Sequence, residues 1–193
     1  MVHLIVNVHR SGSSMLMRCL EAGGLNPVYD RTSDTMNHSA PSDYVPNPNG
    51  FYQFNGEVNQ GFDRMYVNRL IKFPISQLNN LPQGDYKVIL LKRDPEEIRK
   101  SMSRWTPFSS WGTQEVVTYL YDEFIGGVKA KLLTIGAEVI EINYSDIVNS
   151  PTDAFNSIKD AGWNIDVNEC AKLVDSSLYR NNLEKDNYAK LGT

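Results

Sequence analysis

Two short clusters along the chain carry residue types and spacings that could do chemistry. Residues 9–14 read His-Arg-Ser-Gly-Ser-Ser, between an apolar run and a helix-like stretch. Backbone N–H groups at a helix start lack internal partners and meet the positive end of the helix dipole, so a strand–loop–helix of this kind can hold an anion. Gly12 would let the backbone approach that anion closely, and Ser11, Ser13 and Ser14 would offer hydroxyl donors. Arg10 adds a permanent charge and a donor fork. The alternative here is a Ser-rich cap between a core strand and a core helix. The nucleotide-kinase version, GxxxxGKS/T, does not fit. With Gly12 as its second glycine, Asn7 falls at the first and Ser13 at the lysine.

The second cluster is "LLKRDPEEIRKSMSRW". Arg93 stands at the C-terminal end of an expected central strand, where ligands of open parallel sheets bind. Ser101 follows Asp94 by seven residues, two helical turns on, so both share a helix face. Arg93 and Ser101 could then grip one compact dianion. The alternative is an Arg paired with Glu97 and an exposed helical Ser.

The elements that must position these residues follow from hydrophobic period and capping signals. Leu4–Val8 reads as a buried strand and Ser14–Ala22 as a helix. Met15, Leu16, Cys19 and Leu20 form the apolar face of that helix, and Gly23-Gly24 ends it. From Asp30 to about Gly50 runs a polar segment without period, the composition of a lid or substrate loop. A helix is expected from about Gly56 to Asn68, with Val58, Phe62, Met65 and Tyr66 inward. "RLIKF", "YKVILLKRD" and "EVIEI" read as strands. Asp94 caps the helix after the second of these, with Pro95 in its first turn and Glu96 and Glu97 at its positive end. A long helix is expected over Thr113–Thr134, and a capping-box helix begins at Ser150. Strands alternating with helices imply α/β architecture with a parallel sheet covered on both faces.

The bulk numbers bound the rest. A chain of 193 residues is expected to form a single domain, residues 1–193, with a substantial core. Its 19 Lys and Arg against 23 Asp and Glu give a net charge of −4, so no electrostatic footprint for nucleic acid exists and any anion site must be local. Cys19 and Cys170 form no CxxC, and His3, His9 and His38 form no metal-ligand spacing. No signal-peptide pattern or membrane-length apolar run is visible, so the expected location is the cytoplasm.

"HRSGSS" followed by "RDPEEIRKS" resembles the PAPS-dependent sulfotransferase family. There the first motif cradles the 5′-phosphosulfate, and an Arg with a Ser eight residues later holds the 3′-phosphate. "INYSDIVNSPTDAFNSIKDAGW" resembles a later segment of that family, and "NPNGFYQF" one found in some bacterial members. The resemblance runs in order from Leu4 to about Trp163. It implies a three-layer α/β/α, P-loop sulfotransferase-like fold. It also implies transfer of a sulfuryl group from PAPS to a hydroxyl on a small-molecule or carbohydrate acceptor, with release of adenosine 3′,5′-bisphosphate and no metal.

Arg10, Ser11, Gly12, Ser13 and Ser14 match the phosphosulfate loop, and Arg93 and Ser101 match the 3′-phosphate pair. Lys72 matches a lysine near the bridging oxygen, where it would act with Arg10, and Arg180 matches a C-terminal cofactor contact. The sequence departs from the family at three places. His9 replaces a common Pro, Pro74 stands where some members have His, and Gln53 stands where others have Glu. Glu57, one turn beyond Gln53 and on the same face if the expected helix extends back to Gln53, and His38 are the remaining candidate bases. Trp105, Phe108 and Trp111 are candidates for the acceptor wall. Two rivals stay open, a P-loop small-molecule kinase and a non-catalytic nucleotide-binding module of the same fold.

Overall fold

Val2, Leu4, Ile5 and Val6 are all fully buried in β1 (Val2–Asn7), a strand with apolar residues on both faces. Such a strand must lie inside a sheet covered on both sides. The computed structural model describes residues 1–30, 34, 50–104 and 125–180. His38, Trp105, Phe108, Trp111 and the part of the expected Thr113–Thr134 helix before residue 125 lie outside the described residues.

β1 is the middle of a five-stranded, all-parallel sheet. It pairs with β3 (Arg69–Pro74) on one side and β4 (Tyr86–Lys92) on the other. β2 (Asn26–Pro27) lies outside β3, and β5 (Glu138–Asn143) outside β4, in the order β2-β3-β1-β4-β5. Glu141 on β5 pairs with Lys92 at 3.0 Å and Lys129 at 2.6 Å, so ionic side chains cover this outer strand.

Alternating side chains feed two cores. Ile5, Leu70, Ile89, Leu91 and Ile142 pack on α1 (Ser13–Ala22), α5 (Tyr144–Asn149), α6 (Pro151–Asp160) and α7 (Val167–Lys172). Leu4, Val6, Ile71, Phe73, Val88 and Leu90 face the other way. There they meet Phe62 of α2 (Phe62–Met65) and Val128 and Leu132 of α4, helical residues 125–134. α3 (Pro95–Ser103) lies over Val8 through Ile98 and Met102. The layers are α/β/α, as expected.

Two local expectations are corrected. The helix expected over Gly56–Asn68 is reduced to the four residues of α2. Gly61, in the left-handed region at φ +92°, is where that short turn begins. Gly56 is pressed against neighbours, because a Cβ there would lie 2.4 Å from the Tyr66 hydroxyl. With Gly56 at its start and Gly61 inside it, the segment forms no continuous helix. Met65, expected inward, is 57% exposed. Ser150 is the N-cap residue of α6, yet its side chain makes no capping hydrogen bond, so the capping box is absent.

Because β1 lies between β3 and β4, the chain's crossovers leave to opposite sides of it. The crevice beyond the C-terminal ends of these strands is the topological switch point where open α/β sheets bind ligands. Residues 8–12, Lys72 and Arg93 all belong to these strand ends.

Candidate functional site

The loop after β1 is a tight turn in which the Ser11 N–H donates to the Val8 carbonyl at 3.3 Å. Arg10 sits at φ +67°, a left-handed conformation that costs a non-glycine residue about 1–2 kcal/mol. Gly12 is the N-cap of α1 at φ +94°, and as a glycine it has no side chain to cap the helix. A Cβ on Gly12 would come within 2.2 Å of two Tyr144 ring carbons, so this backbone lies directly against the ring. The Ser11 side chain is only 1% exposed, and among the described residues its hydroxyl has no hydrogen-bond partner. A buried hydroxyl in that state carries a penalty of about 1–3 kcal/mol, which a ligand acceptor would relieve.

At the β4 end, Arg93 and Ser101 come together with the loop. Arg10 Nε donates to Ser101 Oγ at 3.0 Å, and Arg93 donates through Nη1 to the Arg10 carbonyl at 3.0 Å. Arg93 Nε also donates to Glu97 Oε2 at 2.9 Å, an ion pair buried on both sides. The Arg93 guanidinium stands 4.6 Å from the centroid of the Tyr144 ring and 5.4 Å from that of Tyr179. The two rings meet edge to face at 5.2 Å, and the Tyr179 hydroxyl donates to Glu97 Oε1 at 2.7 Å. Burial first, then the bond to Glu97, raises the Tyr179 pKa. Both sequence alternatives are therefore partly realised. Arg93 does pair with Glu97, but Ser101 is buried rather than exposed.

The β3 end supplies the third cation. Lys72 Nζ donates to the Phe51 carbonyl and to Ser14 Oγ, and Ser14 Oγ itself donates to the same carbonyl at 3.2 Å. Burial pushes the Lys72 pKa down to about 8, with Asp34 opposing the shift and Arg10 adding to it. His9 is also lowered, through loss of hydration and then the charges of Lys72 and Arg10. The arrangement thus separates the loop's two cations. Arg10 reaches toward Ser101, while Lys72 stands at Ser14.

Asp34, which the sequence reading did not single out, accepts the Phe51 N–H at 2.9 Å and 3.0 Å through its two carboxylate oxygens. Its sequence signal is weak, an acid in a polar segment, though "NPNGFYQF" marked the backbone it holds. Three cations, Arg10, Lys72 and Arg93, meet two buried carboxylates, Asp34 and Glu97. Among these described residues, the cations outnumber the carboxylates by one.

Other candidates are not drawn into this cluster. Glu57 is exposed, accepts a hydrogen bond from Asn59 Nδ2 at 3.3 Å, and does not share a helix with Gln53, which is also exposed. The shared-face argument for Glu57 as a base does not hold. Arg180 is exposed and acts electrostatically on Asp175. Among the described residues, no group of three or more His, Cys, Asp or Glu could hold a metal ion, and no helix is long and apolar enough to cross a membrane.

The chain matches no protein-family model and no curated protein sequence. Solved structures do resemble it. A mouse sulfotransferase, SULT7A1 complexed with PAP, has a TM-score of 0.43 at 15% identity, over 96% of this chain and 67% of that one. A sulfotransferase domain from the curacin biosynthetic pathway has a TM-score of 0.50 at 15% identity, over 98% of this chain and 96% of that one. With that domain this chain shares the sulfotransferase fold, a parallel five-stranded sheet with helices on both faces.

Proposed function

We propose that this chain is a sulfotransferase that takes a sulfuryl group from PAPS to a hydroxyl acceptor and releases adenosine 3′,5′-bisphosphate. The observation that carries the reading is the uncapped start of α1. There the buried Ser11 hydroxyl lacks a partner among the described residues, and Arg10 and Lys72 stand at the loop at the switch point of a sulfotransferase fold. An acceptor-rich anion fits a cradle of that kind. Ser11, Gly12, Ser13 and Ser14 would hold the 5′ end of the donor with Arg10, and Arg93 and Ser101 would hold its 3′-phosphate. When bound, PAPS supplies the activated sulfuryl group.

Lys72, held on Ser14 beside the loop, would offset the negative charge that grows on the leaving side. Arg10, reaching to Ser101, would tie the two anion subsites together. Transfers through loose transition states depend mainly on positioning and charge stabilisation, the two properties these side chains provide. The reading assigns no carboxylate base.

Calorimetry against nucleotides tests this reading. Adenosine 3′,5′-bisphosphate is expected to bind at least about tenfold tighter than 5′-AMP, since one charge-assisted hydrogen bond contributes about 1.5–3 kcal/mol. Ser101→Ala should shrink that preference. Equal affinity of the intact protein for the two nucleotides would remove the 3′-phosphate subsite. A strict requirement for Mg²⁺ with a nucleoside triphosphate would favour phosphoryl transfer instead.

A further inference from the structure

We infer that Asp34 is a positioning residue for the anion crevice, holding Phe51 so that the Phe51 carbonyl orients the Lys72 ammonium on Ser14 at the start of α1. The inference rests on the proposed anion site and adds the residue that sets its lysine. Asp34 is buried, and both its carboxylate oxygens accept the Phe51 N–H, at 2.9 Å and 3.0 Å. The approach is built into the backbone. Gly50 lies at φ +98°, and a Cβ there would stand 2.4 Å from Asp34 Oδ2, so only glycine lets the carboxylate come this close.

Backbone bonds tie the same segment back. The Asp34 N–H donates to the Asp30 carbonyl at 3.0 Å, and the Asp30 N–H to the Gln53 carbonyl at 3.4 Å. On the other side of Phe51, Tyr52 sits at φ +54°, and its hydroxyl donates to Glu21 of α1 at 2.5 Å. Phe51 is thus held from both neighbours, and its carbonyl has little freedom to leave Lys72.

An ammonium carries three N–H donors. Phe51 and Ser14 accept two of them, which holds the ammonium beside Ser14 in the first turn of α1. Asp34 also supplies the negative charge that opposes loss of the Lys72 proton, against the Arg10 cation on the adjoining loop. A hydrogen-bond clamp and a charge therefore act through one side chain, and the two can be separated by substitution.

The test uses the ligand-free full chain. NMR follows amide exchange of Phe51 and titration of the Lys72 side chain in the parent protein, Asp34→Asn, Asp34→Ala and Gly50→Ala. In Asp34→Asn a carboxamide oxygen can still accept the Phe51 N–H, so the amide should stay protected while the Lys72 midpoint moves below its parent value of about 8. In Asp34→Ala and Gly50→Ala the Phe51 amide should lose protection. Calorimetry with adenosine 3′,5′-bisphosphate should then show affinity reduced at least about tenfold in Asp34→Ala and partly restored in Asp34→Asn.

An unmoved Lys72 midpoint in Asp34→Asn, or a Phe51 amide equally protected in Asp34→Ala, overturns the inference. Should Asp34→Ala fail to fold, the Lys72 midpoint in Asp34→Asn decides alone. If the parent protein does not bind the bisphosphate, the proposed function falls, while the ligand-free measurements still decide the role of Asp34.

Discussion

Arg93→Ala is expected to lower folding stability by about 3–5 kcal/mol, before any effect on ligands is considered. Arg93 and Glu97 are buried together, with side chains 6% and 5% exposed. Removing the guanidinium leaves the buried Glu97 carboxylate without the Arg93 charge, while it still accepts from the Tyr179 hydroxyl. It also removes the cation standing against the Tyr144 and Tyr179 rings. For a chain of this size each kcal/mol moves the melting temperature by roughly 2–4 °C, so calorimetric melting should fall by about 6–20 °C.

The double variant Arg93→Met with Glu97→Leu separates charge from packing. Replacing both members of a buried ion pair by apolar groups is often close to neutral, so much of the lost stability should return. A single-variant loss under about 1 kcal/mol would mean that water reaches this pair and the charge is not truly buried. The result also governs how nucleotide binding should be read. Arg93→Ala perturbs fold and subsite together, whereas Ser101→Ala touches the subsite with no buried charge left behind.

The degree to which the fold was legible varies with the physical origin of each feature. β1 and β4 are continuous apolar runs, and a run of that kind between loop signals has few other uses in a parallel sheet. α1 ends where Gly23 and Gly24 stand, and Asp94 caps α3 by accepting from the Glu96 and Glu97 N–H groups. These are local signals, and they survive folding. The expected helix over Gly56–Asn68 does not form because Gly56 and Gly61 interrupt its apolar spacing, and their surroundings and backbone angles are tertiary facts.

The candidate site divides the same way. Arg10, Ser11, Gly12, Arg93 and Ser101 could be named because strand ends and helix starts locate them along the chain. The Arg93–Glu97 pair follows from their i, i+4 spacing, but most of the other contacts could not be read. Arg10 turns toward Ser101 because its own φ is positive, and that angle has no sequence signature in an arginine. The Phe51 carbonyl on Lys72 is a backbone group, which every residue possesses, and its clamp Asp34 lies 17 residues away. Side-chain type indicates which chemistry is available, while backbone geometry decides where it points.

Gly12→Ala is expected to be among the most damaging single substitutions in the chain, with a stability loss of about 3 kcal/mol or more and loss of bisphosphate binding. Two separate penalties combine there. At φ +94° any side chain is strained, by an amount near 1–2 kcal/mol. The added Cβ would also lie 2.2 Å from the Tyr144 ring, a distance that forces the ring or the loop to move. Tyr144 cannot yield easily, since it is buried, packs edge to face on Tyr179, and stands beneath the Arg93 guanidinium. Any shift of the ring therefore reaches Arg93 and Glu97 as well as the loop. Gly24→Ala supplies the calibration, because Gly24 has a similar φ of +103° but nothing within 4 Å of a Cβ. Its loss in thermal or urea unfolding measures the backbone penalty alone, and the excess in Gly12→Ala measures the ring contact. Adding Tyr144→Leu to Gly12→Ala should recover part of that excess and none of the backbone share. Equal losses at the two glycines would show that Tyr144 gives way freely. In that case Gly12 would serve only the turn, and the tight seating of the loop after β1 on the α5 ring would not be what holds Arg93 in place.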